Sequence, residues 1–259
     1  MASVASYNDL INRVAGNFTL NEPFWGELQS STGILGGNQA ALALISLQRD
    51  TPSLPAGVTS YIPTTIGGAW SASSGYPLLV CQCINLGSLD ISGPTFTDGS
   101  QMPTVTELGV SRQTSGMVLM EITTALGATP GAITITYVDQ NGNAAETTTA
   151  QNLPVTNPNI HTVGAIVLNA GDIGVRDITS ATRTGGTAPT GVVKFWGCLP
   201  IALCCSDGSG NIFTENLLTN TFLLSQLPAA TKIAYFAYGG GNSITARAVH
   251  GNMYIIGDS

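Results

Sequence analysis

Two histidines and five cysteines are the residues of this chain best suited to catalysis or metal binding. His161 lies in the polar stretch NPNIHTVG, and His250 follows an apolar dipeptide, Ala-Val. A histidine base needs a nucleophile and an orienting acid beside it, and neither a GxSxG motif nor another nucleophile motif is present. We therefore predict that neither histidine is catalytic and that the protein is not an enzyme.

The cysteines all fall in apolar runs, which favours reduced, buried thiols that pack as small hydrophobic side chains. They are Cys81, Cys83, Cys198, Cys204 and Cys205. Their spacing differs from the paired CxxC of zinc sites, and no histidine is near them in sequence, so a zinc site is disfavoured. Disulfides formed after release into an oxidising medium are the remaining alternative. The odd number leaves at least one thiol free or intermolecular.

Two turns resemble calcium loops in part, because oxygen-bearing side chains recur at alternate positions in DQNGN (139–143) and DGSGN (207–211). The sixth position of each is Ala144 or Ile212, where an EF-hand loop requires glycine. We interpret both as ordinary turns and expect no metal and no cofactor.

Carbohydrate chemistry has two possible sources in the sequence. Glycoside hydrolysis needs two acids brought together, but Glu107 and Glu121 are the only acids expected inside strands of the middle region, and we interpret them as ordinary strand carboxylates. Aromatic side chains form sugar-binding platforms in some proteins, although in a sandwich they more often belong to the core or to an interface. The aromatic candidates are Trp25, Trp70, Trp196, Tyr235 and Tyr238.

The most informative feature of the composition is its shortage of charge. Only 9% of the 259 residues are charged, against about 25% in ordinary soluble proteins. Dispersed charge keeps a free monomer soluble and discourages association, so a chain with so little of it is expected to be covered by neighbours in an assembly. We therefore predict a homo-oligomer.

The distribution of charge also excludes two kinds of partner. The net charge is −7 and the eight basic residues are scattered, which argues against direct binding of nucleic acid. The longest apolar stretch, AALALISL (40–47), is far shorter than the roughly 20 residues that cross a bilayer. The N-terminal residues do not have the pattern of a secretion signal. We expect a protein that folds in a cytoplasm and has no membrane partner.

The order of elements predicts a mainly β fold, an antiparallel β-sandwich with jelly-roll-like connections over residues 55–259. Short Val-, Ile- and Thr-rich runs alternate with Gly, Pro, Asn and Asp from about residue 58 onward. Residues 1–54 are predicted to form a partly helical N-terminal arm, with helices over 6–14 and 38–49. A further segment, 212–227, is expected to be helical for part of its length. The predicted strands are 58–66, 77–86, 104–110, 117–126, 132–138, 145–150, 162–168, 175–182, 192–199, 231–238 and 243–256.

The clearest local signal is the segment AITITYVDQNGNAAETTT (132–149). Apolar residues alternate with threonines as in a half-buried strand. Asn141 and Gly142 follow, a pair that favours the positive backbone angles of a tight hairpin turn. The sequence therefore predicts a β-hairpin here.

This hairpin is the first part of a longer pattern. A Tyr-x-Asp-Gln-x-Gly turn (137–142) is followed by Gly-Asp-x-Gly-Val-Arg (171–176) and by an apolar strand that ends in Leu-Pro-Ile (199–201). The order resembles that of tailed-bacteriophage virion proteins over roughly residues 133–203. It departs from the family where Ala-Glu-Thr (145–147) stands in place of the Gly-Arg-Thr that often closes the hairpin.

The resemblance implies a non-enzymatic virion structural protein, most specifically a capsid decoration or cement protein assembled in the host cytoplasm. Its implied partners are the major capsid protein or other virion proteins, and further copies of itself, with a trimer favoured. A tail, collar or fibre component and a carbohydrate-binding module for receptor recognition are the alternatives. The candidate interface residues are Ala40, Leu42, Leu44, Ile45, Leu47, Asp172, Arg176, Met253, Tyr254, Ile255 and Ile256. For Asp172 and Arg176, an internal salt bridge or a turn cap is the favoured alternative.

Overall fold

The computed structural model describes residues 18–28, 41–46, 60–70, 77–107, 110–153, 162–205, 212–216, 227–228, 232–239 and 247–258. All regular secondary structure within these ranges is β-strand. The strands are β1 (Phe18–Leu28), β2 (Ala41–Ser46), β3 (Ser60–Trp70), β4 (Pro77–Asp90), β5 (Thr95–Asp98), β6 (Thr104–Glu107), β7 (Val110–Gln113), β8 (Met117–Thr124), β9 (Ala132–Asp139), β10 (Glu146–Thr147), β11 (Gln151–Asn152), β12 (Thr162–Ala165), β13 (Val175–Thr184), β14 (Val192–Cys205), β15 (Ile212–Asn216), β16 (Leu227–Pro228), β17 (Lys232–Gly239) and β18 (Arg247–Asp258).

The largest sheet has seven strands in the order β14-β8-β12-β2-β17-β4-β5, all paired antiparallel. Because β4 also pairs with β14, the six strands from β14 to β4 form a closed cycle of pairings. Closure leaves these strands without free edges along the paired residues. One face of the sheet is therefore enclosed by the cycle and the other faces outward.

A four-stranded sheet packs on the outward face of this cycle. It consists of β10, β9 and β11, with β13 paired along β9. The main hydrophobic core lies between the two sheets and includes Met120 and Phe195 from one and Ile135, Tyr137 and Ile178 from the other. The predicted antiparallel β-sandwich is thus confirmed.

The burial of individual strands explains their sequences. Along β9 buried and half-buried residues alternate, because only one face of the four-stranded sheet meets the core. Along β8 the residues from Val118 to Ile122 are all buried, since one side of the strand faces the sandwich core and the other faces the inside of the closed cycle. A strand covered on both faces is mainly apolar, and among the buried residues from Val118 to Ile122 only Glu121 is polar.

Most predicted strands are present, but several differ in extent, and β1, β5 and β11 were not predicted. The segment 104–110 was expected to be one strand, but it contains the start of a hairpin, in which β6 pairs with β7. Only Glu146–Thr147 of the predicted strand 145–150 is a strand. The segment 212–227 was expected to be partly helical, but Ile212–Asn216 form β15 and residue 227 begins β16. The residues between them lie outside the described ranges.

The N-terminal prediction needs a correction. Ala41–Ser46 form strand β2, where a helix was expected over 38–49. An apolar run without clear periodicity fits a short strand inside a sheet as well as a buried helix, and pairing on both sides with β12 and β17 decides for the strand. The helix predicted over 6–14 lies outside the described residues. Both β1 and β2 pair with strands from beyond residue 55, while the division at residue 54 stays a prediction.

No helix in the described ranges is long and apolar enough to cross a membrane.

Candidate functional site

The candidate site is a cluster of two loops at the end of β9, which we call the loop cluster. It comprises residues 140–145, between β9 and β10, and residues 166–174, between β12 and β13. They contain the end of the Tyr-x-Asp-Gln-x-Gly turn and the start of the Gly-Asp-x-Gly-Val-Arg segment. They lie far apart in sequence, and the antiparallel pairing of β13 with β9 brings them together, since Val175 lies opposite Asp139.

Asp139 organises the first loop from the last position of β9. Its Oδ1 accepts hydrogen bonds from the backbone N–H groups of Asn141 and Asn143, both at 2.8 Å, and its Oδ2 accepts one from Asn143 Nδ2 at 2.9 Å. The Asp139 N–H in turn donates to the Asn143 carbonyl at 3.0 Å. The carboxylate thus holds the turn closed from inside.

This arrangement corrects the expected tight turn at Asn141-Gly142. The hairpin itself is present, because Glu146 pairs with Tyr137. However, the positive φ angles occur at Gly142 (91°) and Ala145 (66°) and not at Asn141. The connection is a wider loop, closed by a side chain instead of by a two-residue turn.

The hydrogen bonds to Asp139 also set its acidity. Burial raises the pKa of this carboxyl, but the hydrogen bonds from the backbone and side chain of Asn143, and from the backbone of Asn141 and Gly142, favour the charged form and outweigh burial. The pKa of Asp139 therefore lies below its usual value.

Gln140 joins the two loops. Its side-chain oxygen accepts hydrogen bonds from the backbone N–H groups of Ile173 at 3.1 Å and Gly174 at 3.3 Å, and its Nε2 donates to Asp172 Oδ1 at 3.3 Å. The Gln140 carbonyl accepts a hydrogen bond from Arg176 Nη2 at 2.7 Å. One glutamine therefore fixes both the backbone and the acid of the second loop.

The Tyr137 hydroxyl holds the second loop through two hydrogen bonds. It donates to Asp172 Oδ2 at 2.6 Å and accepts from the Asn169 N–H at 3.1 Å. Burial, followed by the hydrogen bond to Asp172, raises the pKa of Tyr137 to about 12. The tyrosine is thus a neutral donor at physiological pH and suits a structural role.

The result is a braced loop that projects an apolar side chain. Ile173 is 84% exposed, although its own N–H and that of the next residue are held by Gln140. A large aliphatic side chain held this far out on a hydrogen-bonded loop loses little conformational freedom when a partner covers it. The geometry suits binding to an apolar depression on another molecule.

The predicted interface residues are distributed over three places. Asp172 lies in the loop cluster and Arg176 lies next to it on β13; both bond within the chain and both are half-buried. Leu42, Leu44 and Ile45 lie on β2, while Ala40 and Leu47 lie outside the described residues. Met253, Tyr254, Ile255 and Ile256 lie on β18, which pairs with β1 on one side and β3 on the other. Their contact with other subunits stays a prediction.

Sequence reasoning missed Ile173 and the bridging role of Gln140. Gln140 could have been singled out from the sequence, because it is a fixed residue of the first motif. Its hydrogen-bond partners could not, because they lie more than thirty residues away in sequence. Ile173 occupies an unspecified position of the second motif, between Asp172 and Gly174. Its exposure follows only from the folded loop.

Other candidates from the sequence occupy structural positions or lie outside the described residues. Glu121 is buried and accepts a hydrogen bond from Trp196 Nε1 at 2.7 Å, as an acid within a strand does when a donor compensates its burial. Trp196 itself is 2% exposed, so it cannot stack on a sugar. His161 and the second calcium-like turn, 207–211, lie outside the described residues, and His250 lies on β18.

No protein-family model and no curated protein matches the sequence. Among solved structures, the chain is similar to a mutant VP2 protein of infectious bursal disease virus in derived T=1 particles, at 9% identity and a TM-score of 0.22, over 93% of this chain and 78% of that chain. The structure of the Gx strain of the same virus is similar at 10% identity and a TM-score of 0.21, over 93% and 82%. TM-scores this low are below the level of a shared fold, and these likenesses identify neither the fold nor the function of the chain.

Proposed function

We propose that this chain is a non-enzymatic virion structural protein, and most specifically a decoration or cement protein on the head of a tailed bacteriophage. The observation that carries the proposal is the loop cluster, in which two motif segments that resemble those of bacteriophage virion proteins are joined by hydrogen bonds and present Ile173. The shortage of charged residues supports it, because a surface covered by neighbours needs little charge for solubility.

The proposed mechanism is the repetition of modest contacts. Burying one exposed isoleucine contributes about 1.5–3 kcal/mol, which alone is too little for a stable complex. A homo-oligomer that presents several copies at once converts later contacts into intramolecular ones, and its overall affinity then exceeds that of one contact by orders of magnitude. In this proposal, the repeated contacts bridge neighbouring capsid subunits and oppose their separation.

The partners in this proposal are the major capsid protein or other virion proteins, and further copies of the chain, in a particle assembled in the host cytoplasm. A trimer fits decoration at three-fold positions. A position in the tail, collar or fibre would use the same contacts with a different partner.

The test changes the proposed contact without changing the fold. We expect Ile173→Ser to lower the number of copies that remain on purified particles at least several-fold. A hydroxymethyl group would replace the aliphatic side chain that the proposed partner covers. Val167→Ser is the matched control, since Val167 is also an exposed aliphatic residue, at 58%, but its backbone bonds to Gln151 on β11, whereas the Ile173 backbone bonds to Gln140. Quantitative mass spectrometry of washed particles measures both. If Ile173→Ser particles retain the wild-type amount, the loop is not the contact.

A further inference from the structure

Three thiols lie together on the enclosed face of the seven-stranded sheet, and the virion role makes no use of them. Cys81 and Cys83 are two residues apart on β4, so their side chains share a face. Cys198 on β14 lies directly opposite Cys83 in the antiparallel register. The two sulfur atoms are 2.9 Å apart, and all three side chains are fully buried.

The positions of Cys83 and Cys198 suit a covalent bond. Residues directly opposite each other on antiparallel strands have Cα atoms about 4.5–5.5 Å apart, which is within the range of about 4.4–6.8 Å that disulfides require. The sulfur atoms need to approach by less than 1 Å to reach a bond length of about 2.05 Å. No movement of either strand is required.

Cys81 is less well placed for the same bond. In the register of β4 and β14 it lies opposite Pro200, two pairs removed from the pair of Cys83 and Cys198. Its thiol reaches Cys198 along a diagonal, close enough for a side-chain hydrogen bond, whereas Cys83 is directly opposed to Cys198. The geometry selects Cys83 and Cys198 as the pair and leaves Cys81 as a neighbouring reduced thiol.

We propose that Cys83 and Cys198 are a redox modification site, at which a low-molecular-weight disulfide converts two thiols into one cross-strand disulfide bond. The thiolate of one cysteine attacks the small disulfide, breaks its S–S bond and expels one small thiolate. The other cysteine then attacks the protein sulfur of this mixed disulfide and expels the second small thiolate. The protein loses two electrons and two protons, and the small disulfide gains them as two small thiols.

The surroundings of the pair make this reaction slow in the folded protein. Leu119, Val163 and Trp196 pack around the thiols, so a small disulfide reaches them only when strands separate locally or before folding is complete. Burial raises the pKa of Cys83 and, more strongly, that of Cys198. Because the thiolate is the attacking form, we expect oxidation to be faster at higher pH.

The bond would stabilise the closed cycle of strands. It would join β4 to β14 across a sequence separation of 115 residues, and cross-links that close long segments restrict the unfolded chain most. A protein that stays reduced in a cytoplasm would thus gain stability after release into an oxidising medium. This proposal does not depend on the virion role.

The experiment compares the full-length protein in dithiothreitol and in oxidised glutathione, both as the native protein and during refolding from urea. After denaturation and alkylation of free thiols, peptide mapping with fragment spectra distinguishes Cys81 from Cys83. We expect a linked peptide containing Cys83 and Cys198 that disappears in dithiothreitol. The melting temperature should rise by about 5–15 °C with the bond.

Two variants separate this pair from the other thiols. Cys81→Ala should keep the linked peptide and the rise in melting temperature, whereas Cys83→Ala should lose both. If wild-type protein refolded in oxidised glutathione still has alkylatable Cys83 and Cys198, or if Cys198 is linked to another cysteine, the proposal is wrong. The wild-type map decides this even if a variant fails to fold.

Discussion

At the scale of single residues, Gly142 links the turn of the first motif to the arginine of the second. Its φ of +91° is a conformation that residues with a side chain rarely adopt, and a Cβ there would lie 3.1 Å from Arg176 Nη1. Arg176 could retreat only by weakening the bond from its Nη2 to the Gln140 carbonyl, now 2.7 Å long. The glycine is therefore required for two reasons, its backbone angle and its lack of a side chain.

We expect Gly142→Ala to destabilise the protein by more than the strain of the backbone angle alone, which is about 1–2 kcal/mol. Gly171→Ala is the matched control. Gly171 has a similar φ of +100°, but a Cβ there would meet nothing within 4 Å, so only the strain should appear. Urea unfolding of both variants measures the difference. Equal losses would mean that Arg176 moves away at no cost.

At the scale of elements, the hairpin of β9 and β10 depends on the charge of Asp139. The pKa of this carboxyl is lower in the folded protein than its usual value of about 3.9, because four hydrogen bonds favour the ionised form. A lowered folded-state pKa contributes stability above the unfolded pKa, and this contribution is lost as the pH falls through the folded pKa.

We therefore expect the free energy of unfolding to decrease as the pH falls below about 4, with loss of protection at the Asn141 and Asn143 amides. Hydrogen exchange measured across a pH series follows these amides directly. In Asp139→Asn the stability should already be reduced at neutral pH, and the part of the acid dependence that belongs to this turn should be absent. A variant with the same acid dependence as wild type would assign the effect to other carboxyl groups.

The elements also show what the sequence could and could not predict. The alternation of Ile133, Ile135 and Tyr137 was sufficient to place β9, since one face of this strand meets the core. The run AALALISL was not sufficient to distinguish a helix from β2, because a short run that is apolar at almost every position shows neither a helical nor a strand period. Long-range pairing settled that choice, and periodicity within a short segment contains no information about it.

The candidate site, like the strands, could be predicted from the sequence only in part. Its two motif segments were recognisable from residue types such as Tyr137, Gln140 and Asp172, but their convergence depends on β13 pairing with β9. Asp172, predicted as a contact residue, lies in the loop cluster, and Arg176 lies next to it on β13; their contact with other subunits stays a prediction. The exposed side chain is Ile173, next to one of them, because the polar residues are occupied in bracing the loop.

At the scale of the whole molecule, low charge and a sandwich built on a closed cycle of strands both fit the proposed assembly of many copies. A core packed on both faces of β8 and β14 makes a stiff body, and few surface charges oppose close contact between copies. These properties fit the proposed role as one of many copies packed side by side. Strands β1 and β2, from the N-terminal part of the chain, pair with strands from beyond residue 55.

The virion role is tested most directly by counting and locating the chain in particles purified from a producing host culture. We expect quantitative mass spectrometry to find it in an amount comparable to that of the major shell protein, and antibody labelling to decorate the head evenly. Labelling confined to the tail, with few copies per particle, would assign the chain to the tail, collar or fibre. Absence of the chain from washed, intact particles would contradict the structural role altogether.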